Sequence, residues 1–169
     1  NEIAGVMIQE VDRLNRVISE LLEFARPTDL KFKKTDINAL IEHSVKLIEQ
    51  EAASKDVSIN LALSMDHLSA EIDSDRISQC FLNLYLNAIQ TMEKGGRLHI
   101  KTRPSEDGGL AVIEISDSGS GIKHEHLDKI FDPYFTTKTK GTGLGLAVVY
   151  KIIEAHKGNI KVRSDYGSG

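Results

Sequence analysis

The periodicity of the apolar residues predicts an α/β fold, a mixed β-sheet with helices on one face, preceded by one long N-terminal helix. Three observations carry that class. Residues 1–26 repeat apolar positions at alternating spacings of four and three, a rhythm that only a helix gathers into one stripe. Residues 57–63, 97–103 and 110–116 alternate with the period of a half-buried strand. Residues 37–53, 75–92 and 143–156 return to helical spacing, so strands and helices are interleaved rather than segregated.

Met7, Val11, Leu14, Ile18, Leu21 and Ala25 form the seam of the first helix, and Val6, Val17 and Leu22 widen it toward what a bundle needs. Glu10, Asp12, Arg13, Asn15, Arg16, Glu20 and Glu23 fill the other face. Pro27 stops the helix, because the residue before a proline is pushed out of the helical region. One such helix cannot bury its own stripe, so a partner helix is expected. Lys31–Thr35 reads as a short strand and Asp36 as the N-cap of a helix over Ile37–Ala53. Leu40, Ile41, Val45, Leu47 and Ile48 are its apolar face. Val57–Leu63 places Val57, Ile59, Leu61 and Leu63 on one side of a strand, and Ala70–Asp73 reads as another. Ser74 or Asp75 then caps a helix to about Met92, with Ile77, Phe81, Leu84, Ala88 and Ile89 inward. Gly95-Gly96 breaks it. Arg97–Arg103 and Leu110–Ser116 form a hairpin across the polar loop Pro104–Gly109. Residues 118–142 show little periodicity. Gly143–His156 is a helix, Gly158 ends it, and Ile160–Ser164 is a closing strand.

At 169 residues the chain holds one well-cored domain with an appendage, not two full domains. A formal net charge of −4 and a pI near 5.9 argue against a nucleic-acid-binding surface, which needs a clustered basic footprint. The single cysteine, Cys80, excludes a disulfide framework and points to a buried or half-buried thiol in a reducing compartment. The 6 histidines lack zinc-ligand spacing. No apolar run approaches a membrane span, and no signal-peptide pattern opens the chain.

The chemistry gathers in four segments. Asn83 and Asn87 are one turn apart and share a helix face. Asn is a mediocre helix former, so two beside Phe81, Leu84 and Ala88 call for an explanation. Surface amides would be one; amide oxygens holding a hard cation such as Mg²⁺, shared with substrate phosphates, would be the other. Gln79 extends the stripe. Asp117 ends an apolar strand and is followed by Gly119 and Gly121. An ordinary strand-to-turn would look the same, but a carboxylate there also suits an exocyclic amine such as adenine's, with glycines allowing close backbone approach. The third glycine of a dinucleotide fingerprint is missing. Gly141-Thr142-Gly143-Leu144-Gly145-Leu146 runs into a helix, and glycine-rich backbone at a helix N-terminus cradles phosphate. It is not a Walker A loop, for no Gly-Lys-Ser/Thr follows. Lys138 and Lys140 lie just upstream as mobile point charges. The roughly two dozen residues between Asp117 and Gly141 are long for a structureless connection and read as a lid, with Phe131 and Phe135 as apolar anchors.

Asn83-Leu84-Tyr85-Leu86-Asn87-Ala88, Asp117-Ser118-Gly119-Ser120-Gly121, Phe131-Asp132-Pro133-Tyr134-Phe135 and Gly141-Thr142-Gly143-Leu144-Gly145, in that order, resemble the N, G1, F and G2 boxes of sensor histidine kinases. The segment Phe131–Lys138, with Gln79 and Asn83, is similar to the nitrogen-regulation subgroup. The resemblance implies a two-layer α/β sandwich of the gyrase, Hsp90, histidine kinase and mismatch-repair ATPase type over 28–169. Residues 1–27 would be the second helix of a dimerisation and phosphoacceptor hairpin. It implies ATP and Mg²⁺ as ligands. Asn87 becomes the metal ligand, Asn83 a catalytic contact to metal or phosphates, and Asp117 the reader of adenine. Gly119, Gly121, Ile122, Phe131, Phe135, Lys138, Lys140, Gly141, Thr142, Gly143, Leu144, Gly145 and Leu146 become nucleotide contacts. It further implies transfer of the γ-phosphoryl group to a histidine, relay to a response regulator receiver domain, homodimerisation through the first helix, and a cytoplasmic position in an inner-membrane sensor.

Two departures from the family pattern stand out. Gln90 occupies a position that is often basic, leaving Lys138 or Lys140 to supply positive charge. The phosphoacceptor box is absent, and the ending at Tyr166–Gly169 implies that a last strand is cut off. An ATP-hydrolysing clamp would carry a glutamate where Asn83 stands, as general base for water, and Asn has no such basicity. A nucleotide-binding or dimerisation module without activity is the remaining alternative.

Overall fold

The computed structural model describes residues 2–25, 29–93, 95–139 and 141–167, without the side chains of 2, 3, 9, 12, 13, 16 and 23. The stop assigned to Pro27 lies outside the described residues. Helix α1 (Glu2–Ala25) is followed by β1 (Lys33–Asp36), α2 (Ile37–Lys46), α3 (Glu49–Ser54), β2 (Val57–Ala62) and β3 (Ser69–Ile72). Then come α4 (Ser74–Thr91), β4 (Gly96–Pro104), β5 (Ala111–Asp117), a 3-10 turn at His124–His126 and α5 (Gly145–Ala155). Strand β4 is central, parallel to β2 on one side and antiparallel to β5 on the other, so the sheet is mixed. A separate antiparallel pair joins β1 to β3.

The core forms where the helices lie on the sheet. Leu98 and Ile100 of β4, Ile41 and Val45 of α2, Phe81, Tyr85 and Ile89 of α4, and Val149 and Ile152 of α5 are all buried in one cluster. In β4, Leu98, Ile100 and Thr102 point in while Arg97, Lys101 and Arg103 point out, the alternation of a one-sided strand. The buried Thr102 hydroxyl is satisfied twice, donating to Asn38 Oδ1 at 2.8 Å and accepting the Ser64 N–H at 2.8 Å.

Several elements differ from expectation. The helix expected over 37–53 is two: the chain breaks after Lys46, which turns Leu47 out to solvent and drops Ile48 into the core. Helical spacing alone put both inward, which one continuous helix against this sheet does not achieve. In β2, Leu61 shares a face with the buried Val57 but is itself exposed, because the strand leaves the core toward its C-terminal end. The cap of α4 is Asp73 rather than Ser74 or Asp75: its carboxylate accepts from Arg76 N–H at 3.2 Å and from Lys31 N–H at 2.8 Å. Burial works to raise the Asp73 carboxyl, but those backbone donors outweigh it and hold it below the usual range. Along α4 the deepest residues include Cys80 and Tyr85, and Leu84 is only half-buried against them. The closing strand expected at Ile160–Ser164 is not a strand. Ile160, Val162 and Ser164 do alternate inward, but among the described residues the segment has no ladder partner. One-sided burial produces the alternation; a strand also needs a backbone neighbour.

The apolar stripe of α1 is largely exposed at Met7, Val11, Leu14, Ile18 and Leu21. Its C-terminal end meets the domain, where Lys151 Nζ donates to Phe24 O at 2.8 Å and lies over the Phe24 ring. Among the described residues no helix is long and apolar enough to cross a membrane.

Candidate functional site

Helix α4 supplies one wall of the site because its inner face, Ile77, Cys80, Phe81, Tyr85, Ala88 and Ile89, is buried in the core, which leaves Asn83, Asn87 and Gln90 on the open side. Asn83 Nδ2 donates to Gly145 O at 3.3 Å, tying the amide stripe to the first residue of α5. A cavity of about 290 Å³ opens there, bounded by Ser19 and Glu20 of α1, Gln79 and Asn83 of α4, and Leu144, Gly145 and Val148. A β-carbon added at Gly145 would meet nothing within 4 Å, so this backbone faces open space. Its helix has no side-chain cap, and the first turn closes only at Val148 N–H to Leu144 O, 2.9 Å. The N–H groups ahead of that bond, with the helix dipole behind them, make an anion-binding end.

The other glycines do different work. Gly143, at φ +72, lies against the backbone of Tyr134 and Phe135, and its carbonyl accepts the Tyr134 N–H at 2.9 Å. That contact ties the long loop to the start of α5. Gly121 abuts the Asp165 backbone, and Ile122 N–H donates to Ser164 Oγ at 2.8 Å, so both serve the approach of the C-terminal segment. Gly141 lies against the Thr136 hydroxyl. Gly119 makes room for the side chains of Thr91 and Asp117.

Asp117 ends β5, half-buried, and its Oδ1 accepts the Gly119 N–H at 2.8 Å and the Thr91 hydroxyl at 3.5 Å. Thr91 was not singled out from sequence; its only signal is its place in the last turn of α4, facing the strand end. Lys138 reaches across from the loop, donating to Asn87 Oδ1 at 3.1 Å and to Gln90 Oε1 at 2.9 Å. Burial, and after it the Lys55 charge, pull this ammonium below the usual lysine range, against the opposing pull of Asp117. Lys140 lies outside the described residues. Thr142 donates its hydroxyl to Glu20 of α1 and accepts the Leu144 N–H at 3.3 Å. Leu144 is buried, and Leu146 is half-buried. Phe131 packs on Tyr150 of α5 with ring centroids 5.5 Å apart, and Phe135 on His126 at 5.3 Å. Ile130, which sequence reasoning passed over, is a buried apolar anchor of this loop.

The site suits a hard cation in one definite respect: Asn87 Oδ1 already accepts a cation, the Lys138 ammonium. Among the described residues no three His, Cys, Asp or Glu side chains converge on a metal site. A metal at α4 would therefore rest on amide oxygens and on the phosphates of a ligand, a donor set that Mg²⁺ uses.

A sheet backed by helices, with an amide-bearing helix facing a glycine-lined helix start and an aspartate at a strand end, is the architecture of one ATPase class. Residues 72–169 match the family described as histidine kinase-, DNA gyrase B-, and HSP90-like ATPase, and the chain belongs to that family. Over all 169 of its residues the chain is 47% identical to the sensor histidine kinase ZraS of Escherichia coli strain K12, and it spans 36% of that relative's length. The matched length includes Leu14–Leu30, whose sequence resembles the zinc-resistance-associated bacterial sensor kinase. Among solved structures it resembles full-length ShkA in complex with AMPPNP, with a TM-score of 0.85 and 26% identity, covering 99% of this chain and 36% of that one. It also resembles the histidine kinase ThkA in complex with the response regulator protein TrrA, with a TM-score of 0.77 and 27% identity, covering 97% of this chain and 48% of that one. The chain is thus an ATP-binding catalytic domain of the kind that sensor histidine kinases carry.

Proposed function

We propose that this chain is the catalytic part of a protein histidine kinase, with residues 28–169 binding ATP and Mg²⁺ and residues 1–27 forming the second helix of a dimerisation hairpin. The observation that carries the reading is the Asn83–Gly145 hydrogen bond, which brings the amide stripe of α4 to the open anion-binding end of α5. Asp117 would accept the exocyclic amine of adenine, with Thr91 and the Gly119 N–H orienting its carboxylate. The N–H groups at the start of α5 would receive phosphate oxygens. Asn87, with Asn83 beside it, would hold Mg²⁺, which when bound neutralises phosphate charge. Phosphoryl transfer passes through a loose transition state that is catalysed mostly by position and electrostatics, and this site supplies both. Asn83 has no basicity with which to activate water, which favours transfer to a better nucleophile over hydrolysis.

The acceptor is read as a histidine on another segment. His156 is held between the Asp73 N–H and Ile152 O, and His99 is paired with Asn60, so neither is presented to the mouth of the site. From that histidine the phosphoryl group would pass to the receiver domain of a response regulator, the partner type seen with ThkA. The exposed stripe of α1 suits a homodimer, and the relatives' role as sensors suits a parent anchored in the inner membrane with this part in the cytoplasm. The test is to mix the chain with a separate helix bearing the acceptor histidine and with γ-labelled ATP. Acid-labile, base-stable label on that helix is expected; free phosphate with no labelled helix would sink the kinase reading.

A further inference from the structure

We propose that Gln90 and Asn87 form a seat in which the Lys138 ammonium holds the metal's place, so that Lys138 leaves when a metal–nucleotide complex arrives. The proposal rests on the reading of Asn87 as a metal ligand. Gln90 and Asn87 lie three apart on α4 and share a face, and both aim an amide oxygen at one nitrogen, at 2.9 and 3.1 Å. Ammonium and divalent metal want the same lone pairs of Asn87. A metal sits about 2.1 Å from an oxygen ligand, too close to a seated ammonium for the two like charges to coexist.

The seat is built from the loop side as well. Lys138 N–H donates to Thr136 Oγ1 at 3.1 Å, and Gly141 N–H donates to Lys138 O at 3.1 Å, so a local turn aims the side chain at α4. Gln90 is exposed, so burial in the core does not explain its place. In this arrangement Gln90 is a positioning residue: it acts on nucleotide only through Lys138. Metal-free ATP would keep the ammonium near Asn87 as a substitute for the metal. The metal complex would release it, and with it the turn at 136–141.

The experiment is calorimetric titration of the chain with ATP, with Mg²⁺ and with EDTA, reading the ratio of the two dissociation constants. Taking the ratio as metal-free over Mg²⁺-bound, Lys138→Met should raise it about tenfold, because metal-free binding loses much more than binding of the Mg²⁺ complex does. Gln90→Ala should raise it about threefold in the same sense. Gln90→Lys placed in the Lys138→Met background should bring the ratio back toward the wild type, because an ammonium again faces the site. A purely structural role would weaken both titrations alike and admit no rescue, and that result overturns the proposal. Asn87→Ala separates the two levels. If it leaves the ratio at the wild-type value, the metal reading itself fails. If it removes the metal's advantage while Lys138→Met and Gln90→Ala leave the ratio unchanged, the metal reading stands and the seat does not exist. Should Lys138→Met fold poorly, the exposed Gln90→Ala variant decides alone.

Discussion

On one side of the mouth, Asn83 and Asn87 stand on α4, whose opposite face is buried at Ile77, Cys80, Phe81, Tyr85, Ala88 and Ile89. On the other side, Lys138 and Thr142 stand on a run of turns anchored by Ile130, by two ring contacts and by the Tyr134–Gly143 hydrogen bond. The first wall cannot shift without opening the core. The second can, because its backbone bonds are local and its apolar contacts few. Affinity for the invariant parts of a ligand therefore belongs with the first wall, and adjustment to metal, phosphate or a neighbouring helix with the second. The side-chain partners follow the same division. Asp117 is held by its own strand end and by Thr91 of α4, whereas Thr142 is held by Glu20 of a different helix.

The comparison breaks most violently if the first wall is loosened from behind. Ile89→Ala, at a fully buried position, should cost about 2–5 kcal/mol of stability, read by denaturant unfolding, and nucleotide binding should fall with it. Chemistry on the same wall can be removed without that cost. Asp117→Asn should keep the unfolding midpoint but weaken ATP roughly tenfold to a hundredfold, the loss of a charged hydrogen bond of about 1.5–3 kcal/mol. GTP should already bind the unaltered chain poorly, since its exocyclic oxygen would face the carboxylate; equal ATP and GTP affinities would remove Asp117 from its role.

The second wall should respond in the opposite direction. Glu20 places a carboxylate on the glycine segment that a phosphate would approach, and like charges there compete. Glu20→Ala should therefore tighten ATP binding by about threefold in a low-salt titration, an effect that shrinks as salt is raised. Weaker binding would make Glu20 a support of the site rather than a competitor. The smallest effect is expected deep behind the first wall. Burial pushes the Tyr85 hydroxyl up to about 12 despite the nearby Ser44, and among the described residues it finds no acceptor of hydrogen-bonding geometry. Tyr85→Phe should be neutral or stabilise by up to about 1 kcal/mol, and a loss of more than that would mean the hydroxyl is satisfied after all.

Much of this was legible in the residues, and the exceptions share a cause. Asp36 as a cap, the hairpin, the helix carrying Asn83 and Asn87, and the glycine segment opening a helix each follow from local rules, in which neighbours along the chain supply the signal. Asp117 at a strand end was also local. What sequence reasoning misjudged or missed depends on partners far along the chain. Leu47 and Ile48 divide between solvent and core because of where α2 meets the sheet. Residues 160–164 alternate like a strand but join no ladder among the described residues. The close packing of Gly121 on the Asp165 backbone, and of Gly143 on that of Tyr134 and Phe135, is likewise invisible in local sequence.

The amino-acid order by itself determined most of the helices and strands, and which residue types could meet base, phosphate and cation, because periodicity, capping and chemistry act over a few residues. Only the tertiary structure decided which of those residues face one another. Lys138 reaches Asn87 across 51 positions, Glu20 reaches Thr142 across 122, and Asn83 meets Gly145 across 62. Pairings at such separations are selected by how the helices pack on the sheet, since no local energy term distinguishes one distant amide, carboxylate or lysine from another.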